Sequence, residues 1–382
     1  MAKIIVSVIS DLVTDQRVHK VSQTLHEMGY DVLLVGTKKL NSQPLQSRDY
    51  TTKRISLFFQ KGFLFYAEWN IRLFFYLLFK KASLLLANDL DTLPPNYIAG
   101  RLKRSVVIYD THEYFTETAE LYNRGFVKTV WVSIENLFLP RIIYVYTVNK
   151  SIADLYKQKY NKDILVVRNL PLLTPITADE NALPESSFSF PMEKKILLLQ
   201  GNGINENRGA EEFVLAANLL SDAFILVIAG NGLIIERLKA MVIENSLMQK
   251  VFFTGVLPFQ QLKNLTRLAY CGFSLDKPLN INQQASLPNK LFDYLAADIP
   301  VIVSNIKEVT RVVEQYQVGI VIDEITPEKI AFAVYELEAD KNKYASYKSN
   351  TRVAINEMNW DKEKKVVEDL FKKISAEKKI IG

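Results

Sequence analysis

The sequence predicts an α/β protein made of two doubly wound, Rossmann-like domains in tandem. Three observations predict it. Short β-branched runs alternate with stretches long enough for a helix, one proline- and serine-rich segment interrupts that alternation, and 382 residues suffice for two domains. With 48% hydrophobic and 23% charged residues the chain can bury a sizeable core, which excludes a disordered, fibrous or miniature protein.

The first domain, residues 1–170, opens on IIVSVI at 4–9 and continues through DVLLVG at 31–36, SLLLAN at 83–88 and SVVIYD at 105–110. IIYVYTV at 142–148 and ILVVRN at 164–169 complete it. Thr14 to Met28 and Lys128 to Pro140 have the length of intervening helices, so the runs form a parallel sheet covered on both faces. Pro171, Pro175, Pro184 and Pro191, with Ser186, Ser187 and Ser189, mark a linker over 171–192. The second domain, residues 193–358, resumes with KILLLQG at 195–201, FILVIAG at 224–230 and VFFTG at 251–255. CGFSL at 271–275, PVIVS at 300–304 and VGIVID at 318–323 follow. Val366, Val367, Leu370, Phe371 and Ile374 then fall at helical spacing among lysines, as a closing amphipathic helix within about 360–382.

Composition narrows the function classes. Cys271 is the single cysteine, so no internal disulfide forms, no Cys/His group has zinc spacing, and a reducing compartment fits best. The apolar run Ile4 to Ile9 is interrupted by Ser7 and stopped by Asp11, too short for a secretory core or a membrane span, and the chain reads as cytoplasmic. Lys and Arg outnumber Asp and Glu by 23 to 15 over residues 1–170 but match them at 24 to 24 over 191–382. The positive surplus of the first half points to an anionic surface or substrate there. No zinc finger, RNP motif or basic block points to nucleic acid.

Doubly wound domains bind ligands beyond the carboxyl ends of their strands, and tandem domains place a cleft there. Gln200 to Phe213, QGNGINENRGAEEF, ends a strand at Gly201 and Gly203 and opens a helix near Arg208. Glycines admit a close ligand, and a guanidinium beside helix amides favours phosphate. A plain strand-to-helix turn with a surface arginine reads equally well. Gly230 and Gly232 of AGNG repeat the arrangement, as cleft lining or as punctuation. In SLPNKLFDYLAADIPVIVS, Ser286 to Ser304, a helix is expected from about Pro288 to Ala297, with Ser286 as its cap. Lys290 in the first turn opposes the helix dipole unless an anion occupies the helix start. Asp293 on the same face suits vicinal hydroxyls, and a solvated Lys/Asp pair is the plain alternative. VVIYDTHEYFTE brings Asp110, His112 and Glu113 to the end of a strand, where a site and a structural histidine are both reasonable readings. Asp89-Leu90-Asp91 has the look of a DxD metal motif, but a capped turn before a helix at Thr92 is favoured and no metal is expected.

These segments together resemble bacterial GT-B glycosyltransferases of glycosyltransferase family 4. The tandem domains, the QG…NRG loop, AGNG, FTG at 253–255, the SLPNKLFDYLAADIPVI block and YDTHEYF carry the resemblance. SDLVTDQRVHK near the start and Asn359-Trp360 before the last helix extend it over nearly the whole chain. It implies a GT-B fold whose last helix returns to the first domain, and metal-independent, retaining transfer from a UDP- or GDP-sugar bound to the second domain. It further implies catalytic roles for His112, Arg208 and Lys290. Donor binding falls to Gly201, Gly203, Arg208, Gly230, Gly232, Ser286, Leu287, Pro288, Asn289, Lys290 and Asp293. Arg208 and Lys290 would face the diphosphate, Asp293 the ribose and His112 the donor sugar, with Asp11, Arg17 and Glu113 on the acceptor side. Such enzymes commonly carry Glu, seven residues, Glu; here Ala285 stands at the first place and Asp293 at the second. The loss at Ala285 keeps open a non-catalytic sugar-nucleotide or partner-binding relative, and a sugar-nucleotide epimerase is a third reading. The implied setting is surface-polysaccharide or lipopolysaccharide assembly with a glycan or lipid-linked acceptor.

Between Phe58 and Phe79 ten of 22 residues are aromatic, among Lys53, Arg54, Lys61, Arg72, Lys80 and Lys81. A peripheral membrane contact through 58–81 is expected; the alternative packs these rings beneath the first sheet.

Overall fold

The computed structural model describes residues 1–13, 15–40, 42–118, 121, 124–173 and 190–378. Its contacts divide the chain into two units, residues 1–169 with 361–382, and residues 170–360. In chain order the first unit holds β1 (Lys3–Asp11), α1 (Gln16–Glu27), β2 (Asp31–Lys38), β3 (Thr51–Ser56), α2 (Gly62–Phe79), β4 (Leu84–Asn88), α3 (Leu93–Lys103), β5 (Val106–Thr111), α4 (Gly125–Phe138), β6 (Tyr144–Thr147), α5 (Lys150–Tyr160) and β7 (Leu165–Val166). The second holds β8 (Lys195–Gly201), α6 (Ala210–Ala216), β9 (Phe224–Gly230), α7 (Ile235–Glu244), β10 (Val251–Gly255), α8 (Phe259–Leu268), β11 (Cys271–Ser274), α9 (Ile281–Gln284), α10 (Asn289–Ala296), β12 (Val301–Ser304), α11 (Lys307–Tyr316), β13 (Gly319–Ile322), α12 (Pro327–Ala339) and α13 (Lys341–Glu357). Helix α14 (Trp360–Lys378) follows. Of the expected linker, residues 174–189 lie outside the described ones.

Both sheets are parallel, seven strands ordered β3-β2-β1-β4-β5-β6-β7 and six ordered β10-β9-β8-β11-β12-β13. The order reverses beside β1 and beside β8, and at such a switch point the flanking loops part to leave room for a ligand beyond the carboxyl ends. Central strands are apolar on both faces because helices cover both. Leu84, Leu85 and Leu86 of β4 and Leu197 and Leu198 of β8 are wholly buried.

Every run expected as a strand is one, and β3 joins them unannounced. Its TTKRIS holds only half-buried and exposed positions at the sheet edge, so it never shows the apolar run of an interior strand. Asp15 caps α1 by accepting from Val18 N at 3.0 Å, and Val18, Val21 and Leu25 line its buried stripe. Helix α14 lays Val367, Phe371 and Ile374 on the first unit. The Tyr30 ring meets Phe371 edge-on at 6.0 Å, and Arg168 holds Glu363 at 2.6 Å. In α2, Trp69, Leu73 and Leu77 recur at i, i+4 and i+8 and bury completely, about 1.5–3 kcal/mol for each aliphatic side chain. Among the described residues no helix is long and apolar enough to cross a membrane.

Candidate functional site

In the second unit the loops after β8 and β9 lie backbone against backbone. Asn231 N donates to Gly201 O at 3.1 Å and Ile204 N to Asn231 O at 3.0 Å. A Cβ at Gly230 would stand 1.9 Å from Gly201 O, and one at Gly232 2.0 Å from Ile204 O, so these positions require glycine. The AGNG turn therefore shapes the Gly201–Gly203 loop directly.

Helix α10 is fixed to the strand ends by Tyr294. Its hydroxyl accepts from Gln200 N at 3.1 Å and lies 3.2 Å from Leu198 O and 3.1 Å from Phe273 O, with room to donate to either. Thus anchored, α10 brings Lys290 Nζ to 3.3 Å from Asp276 Oδ2. Arg208 Nη1 donates to Asp276 Oδ1 at 3.1 Å. The Asp276 carboxylate, 5% exposed, thus lies between a guanidinium 44% exposed and an ammonium 13% exposed. Ser304 Oγ donates to Asp276 O at 2.7 Å and Lys277 N to Asn207 O at 2.9 Å, which fixes the backbone on both sides of the pairing. Lys290 does meet an anion at the start of its helix, and that anion is a carboxylate of the protein itself, one the sequence reading did not single out.

Asp293 accepts from Gln200 Nε2 at 3.3 Å, while Gln200 Oε1 accepts from Thr266 Oγ1 at 2.8 Å. Gln200 is buried and orients Asp293; its polarity at the end of an otherwise apolar strand was the available signal. Ser286 does not cap α10. Its hydroxyl donates to Gln283 O at 2.8 Å within the turn that closes α9, and Pro288 stands at the cap position. Leu287 and Pro288 are half-buried, Asn289 is exposed, and Ala285 is buried.

In the first unit, Asp110, the penultimate residue of β5, is buried against Arg17 of α1. Arg17 Nε reaches Oδ2 at 3.0 Å and Nη2 reaches Oδ1 at 2.7 Å, while Nη1 donates to Val167 O at 2.8 Å. The expected acceptor-side Arg17 is thus buried with three donor nitrogens engaged, and it supports Asp110 from behind. His112 Nδ1 lies 3.1 Å from Asp89 Oδ2 and its Nε2 3.3 Å from Asp110 Oδ2, while its main-chain N donates to Asp89 Oδ1 at 2.8 Å. Burial opposes charge on His112, but Asp89 and Asp110 outweigh it and hold the pKa well above the ordinary imidazole value. The two carboxylates therefore favour the protonated, positively charged form of the His112 ring. Burial also works against ionised Asp110, and Arg17 and His112 overcome it to leave the carboxyl below its usual range.

Asp11 accepts from Val13 N at 3.2 Å and lies 3.5 Å from Arg54 Nη1; Glu113 is half-buried, and its carbonyl accepts from Thr111 Oγ1 at 2.7 Å. The Asp89–Asp91 turn differs from the capped turn expected. Asp89 serves His112, and Thr92, at the cap position of α3, turns its hydroxyl to Asn88 O at 2.7 Å. Asp91 is buried, and burial with the Asp89 charge raises its pKa well above the carboxylate range. Among the described residues no group of three or more His, Cys, Asp or Glu is placed to hold a metal ion.

Residues 184–354 match the family model described as glycosyl transferases group 1. No curated protein matches the sequence. Among solved structures, sucrose-phosphate synthase from Thermosynechococcus elongatus aligns with a TM-score of 0.81 at 15% identity, over 98% of this chain and 100% of that one. HepE from Anabaena in complex with UDP-glucose gives 0.75 at 12% identity, over 98% and 100%. WaaG, a glycosyltransferase involved in lipopolysaccharide biosynthesis, gives 0.71 at 11% identity, over 96% and 99%. The fold is that of the GT-B enzymes, its second unit carries the matched glycosyl transferases segment, and together they indicate a glycosyltransferase.

Proposed function

We propose that this glycosyltransferase moves a sugar, with retention and without a metal, from a UDP- or GDP-sugar to a glycan or lipid-linked acceptor in surface-polysaccharide assembly. The observation that carries this reading is the pairing of Arg208 and Lys290 across Asp276, at the strand ends of the segment that matches the family. Departure of a nucleoside diphosphate concentrates negative charge on the leaving oxygens while the sugar becomes oxocarbenium-like. Two fixed cations stabilise that charge where a metal otherwise would. Gly201, Gly203 and the start of α10 offer main-chain contacts, and Asp293, oriented by Gln200, suits the ribose hydroxyls. On the first unit, His112 is assigned to the sugar, and Asp11 and Glu113 to the acceptor side.

The similar Anabaena protein was captured with UDP-glucose, and WaaG acts in lipopolysaccharide biosynthesis; both favour this donor class and setting. Calorimetry with UDP, GDP and ADP, with and without EDTA, tests the donor. Selective binding of one nucleotide that EDTA leaves unchanged is expected, followed by transfer from its sugar conjugate with the anomeric configuration kept. Binding of none by folded protein overturns the reading, and binding abolished by EDTA overturns its metal independence.

A membrane-borne acceptor is favoured by α2 and the strand before it. Phe58, Phe63 and Phe79 are 85%, 78% and 79% exposed, whereas Trp69, Leu73 and Leu77 turn into the core. Lys53, Arg54, Arg72 and Lys80 line a groove of about 680 Å³ with Phe75, Tyr76 and Phe79. Aromatic rings beside cations suit the headgroup region of an anionic bilayer. Flotation with anionic liposomes is expected for the protein and lost in a Phe63→Ser/Phe75→Ser/Phe79→Ser variant; equal flotation of the two removes this surface from the proposal.

A further inference from the structure

We propose that Asp276 is a built-in counter-ion that limits how tightly Arg208 and Lys290 hold a nucleoside diphosphate, and so allows the product to leave. The inference rests on the diphosphate reading above and adds to it a residue with the opposite sign. The carboxylate is buried, and its backbone is held by Ser304 and by the Lys277–Asn207 bond, so an incoming phosphate does not displace it. It stays behind the two cations, 3.1 Å from one and 3.3 Å from the other. Arg208 keeps much of its surface exposed, so the cations face the ligand while Asp276 faces them. This arrangement does two things. It orients a long, flexible lysine and arginine before any ligand arrives, and it lowers the net charge the ligand meets from two positive units to one. A site with two unopposed cations binds the diphosphate of the product as firmly as that of the donor, and slow release then limits turnover.

A merely structural acid and a counter-ion predict opposite signs. Asp276→Asn keeps an oxygen for Arg208 and removes the charge. The variant is expected to bind UDP or GDP, whichever the parent binds, about tenfold more tightly, or about 1.4 kcal/mol. It is also expected to show stronger product inhibition, a lower kcat and a steeper weakening of affinity with added salt. Unchanged or weaker nucleotide binding by folded Asp276→Asn overturns the inference. Should that variant not fold, Lys290→Gln and Lys290→Gln/Asp276→Asn decide it. The double variant, with one net positive charge restored, is expected to recover about tenfold of the affinity lost in the single one; no recovery overturns the proposal. If the parent binds no nucleoside diphosphate, the diphosphate reading fails and takes this inference with it. A parent that binds while Asp276→Asn gains nothing fails the inference alone.

Discussion

Lys290→Ala is expected to weaken nucleoside diphosphate binding by about 10- to 100-fold, since a hydrogen bond to a charged partner in a shielded place contributes roughly 1.5–3 kcal/mol. Lys290 is the more enclosed of the two cations and stands in the first turn of α10, whose geometry Tyr294 fixes against β8 and β11. Removing it also leaves the Asp276 carboxylate facing the ligand with one partner fewer, so repulsion adds to the lost attraction. Turnover should fall further than affinity, by about 10²–10³-fold, because negative charge on the leaving diphosphate is greatest in the transition state. Arg208→Ala should act in the same direction with a smaller effect, its guanidinium being the more solvated. Calorimetry for the nucleotide and initial rates for its sugar conjugate separate the two quantities. Variants that both bind like the parent would move the donor site away from this cluster.

Much of the fold was legible because parallel strands buried on both faces read as uninterrupted apolar runs. Residues 83–88 and 195–201 are such runs, and they became β4 and β8 at the centres of their sheets. The edge strand β3 was not legible, since a strand with one face in solvent needs no such run. In the candidate site, Arg208 and Lys290 could be named from the company they keep in their loops, but their meeting on Asp276 could not. That acid follows a strand with no motif around it, and its role exists only once β11, α10 and the Gly209 turn converge. The same holds for Arg17 and Asp110, 93 positions apart, which sequence places in separate motifs and the sheet places in contact. Ser286 misled for a local reason: a serine shortly before a helix resembles a cap, yet the turn closing α9 claimed its hydroxyl first. The glycines of AGNG read equally as cleft lining or as punctuation, and the packing of one loop backbone on another requires glycine at Gly230 and Gly232.

Arg17→Ala is expected to lower the unfolding free energy by roughly 3–5 kcal/mol, because it strands a buried carboxylate rather than merely deleting a contact. Asp110 is wholly buried and takes both oxygens' worth of bonding from Arg17, with His112 as its other cationic neighbour. Replacing both members, as Arg17→Met/Asp110→Asn, should return a good part of the loss, since no buried charge is then left alone. Urea unfolding of the single and double variants measures both numbers, and equal stability of Arg17→Ala and its parent would mean that water reaches Asp110. The pH dependence follows from the same cluster. Asp110 has a folded pKa below its unfolded one, so its contribution is present above about pH 3.9 and is lost as pH falls through the lower folded value. His112 has a raised folded pKa, so its contribution is complete below about pH 6.5 and is lost as pH rises through the higher folded value. The stability difference between parent and His112→Gln should therefore be largest in mildly acidic solution and shrink toward alkaline pH. His112→Gln should also keep nucleotide binding while losing turnover, because its charge is held on the first unit by Asp89 and Asp110 and makes no part of the Arg208–Asp276–Lys290 cluster.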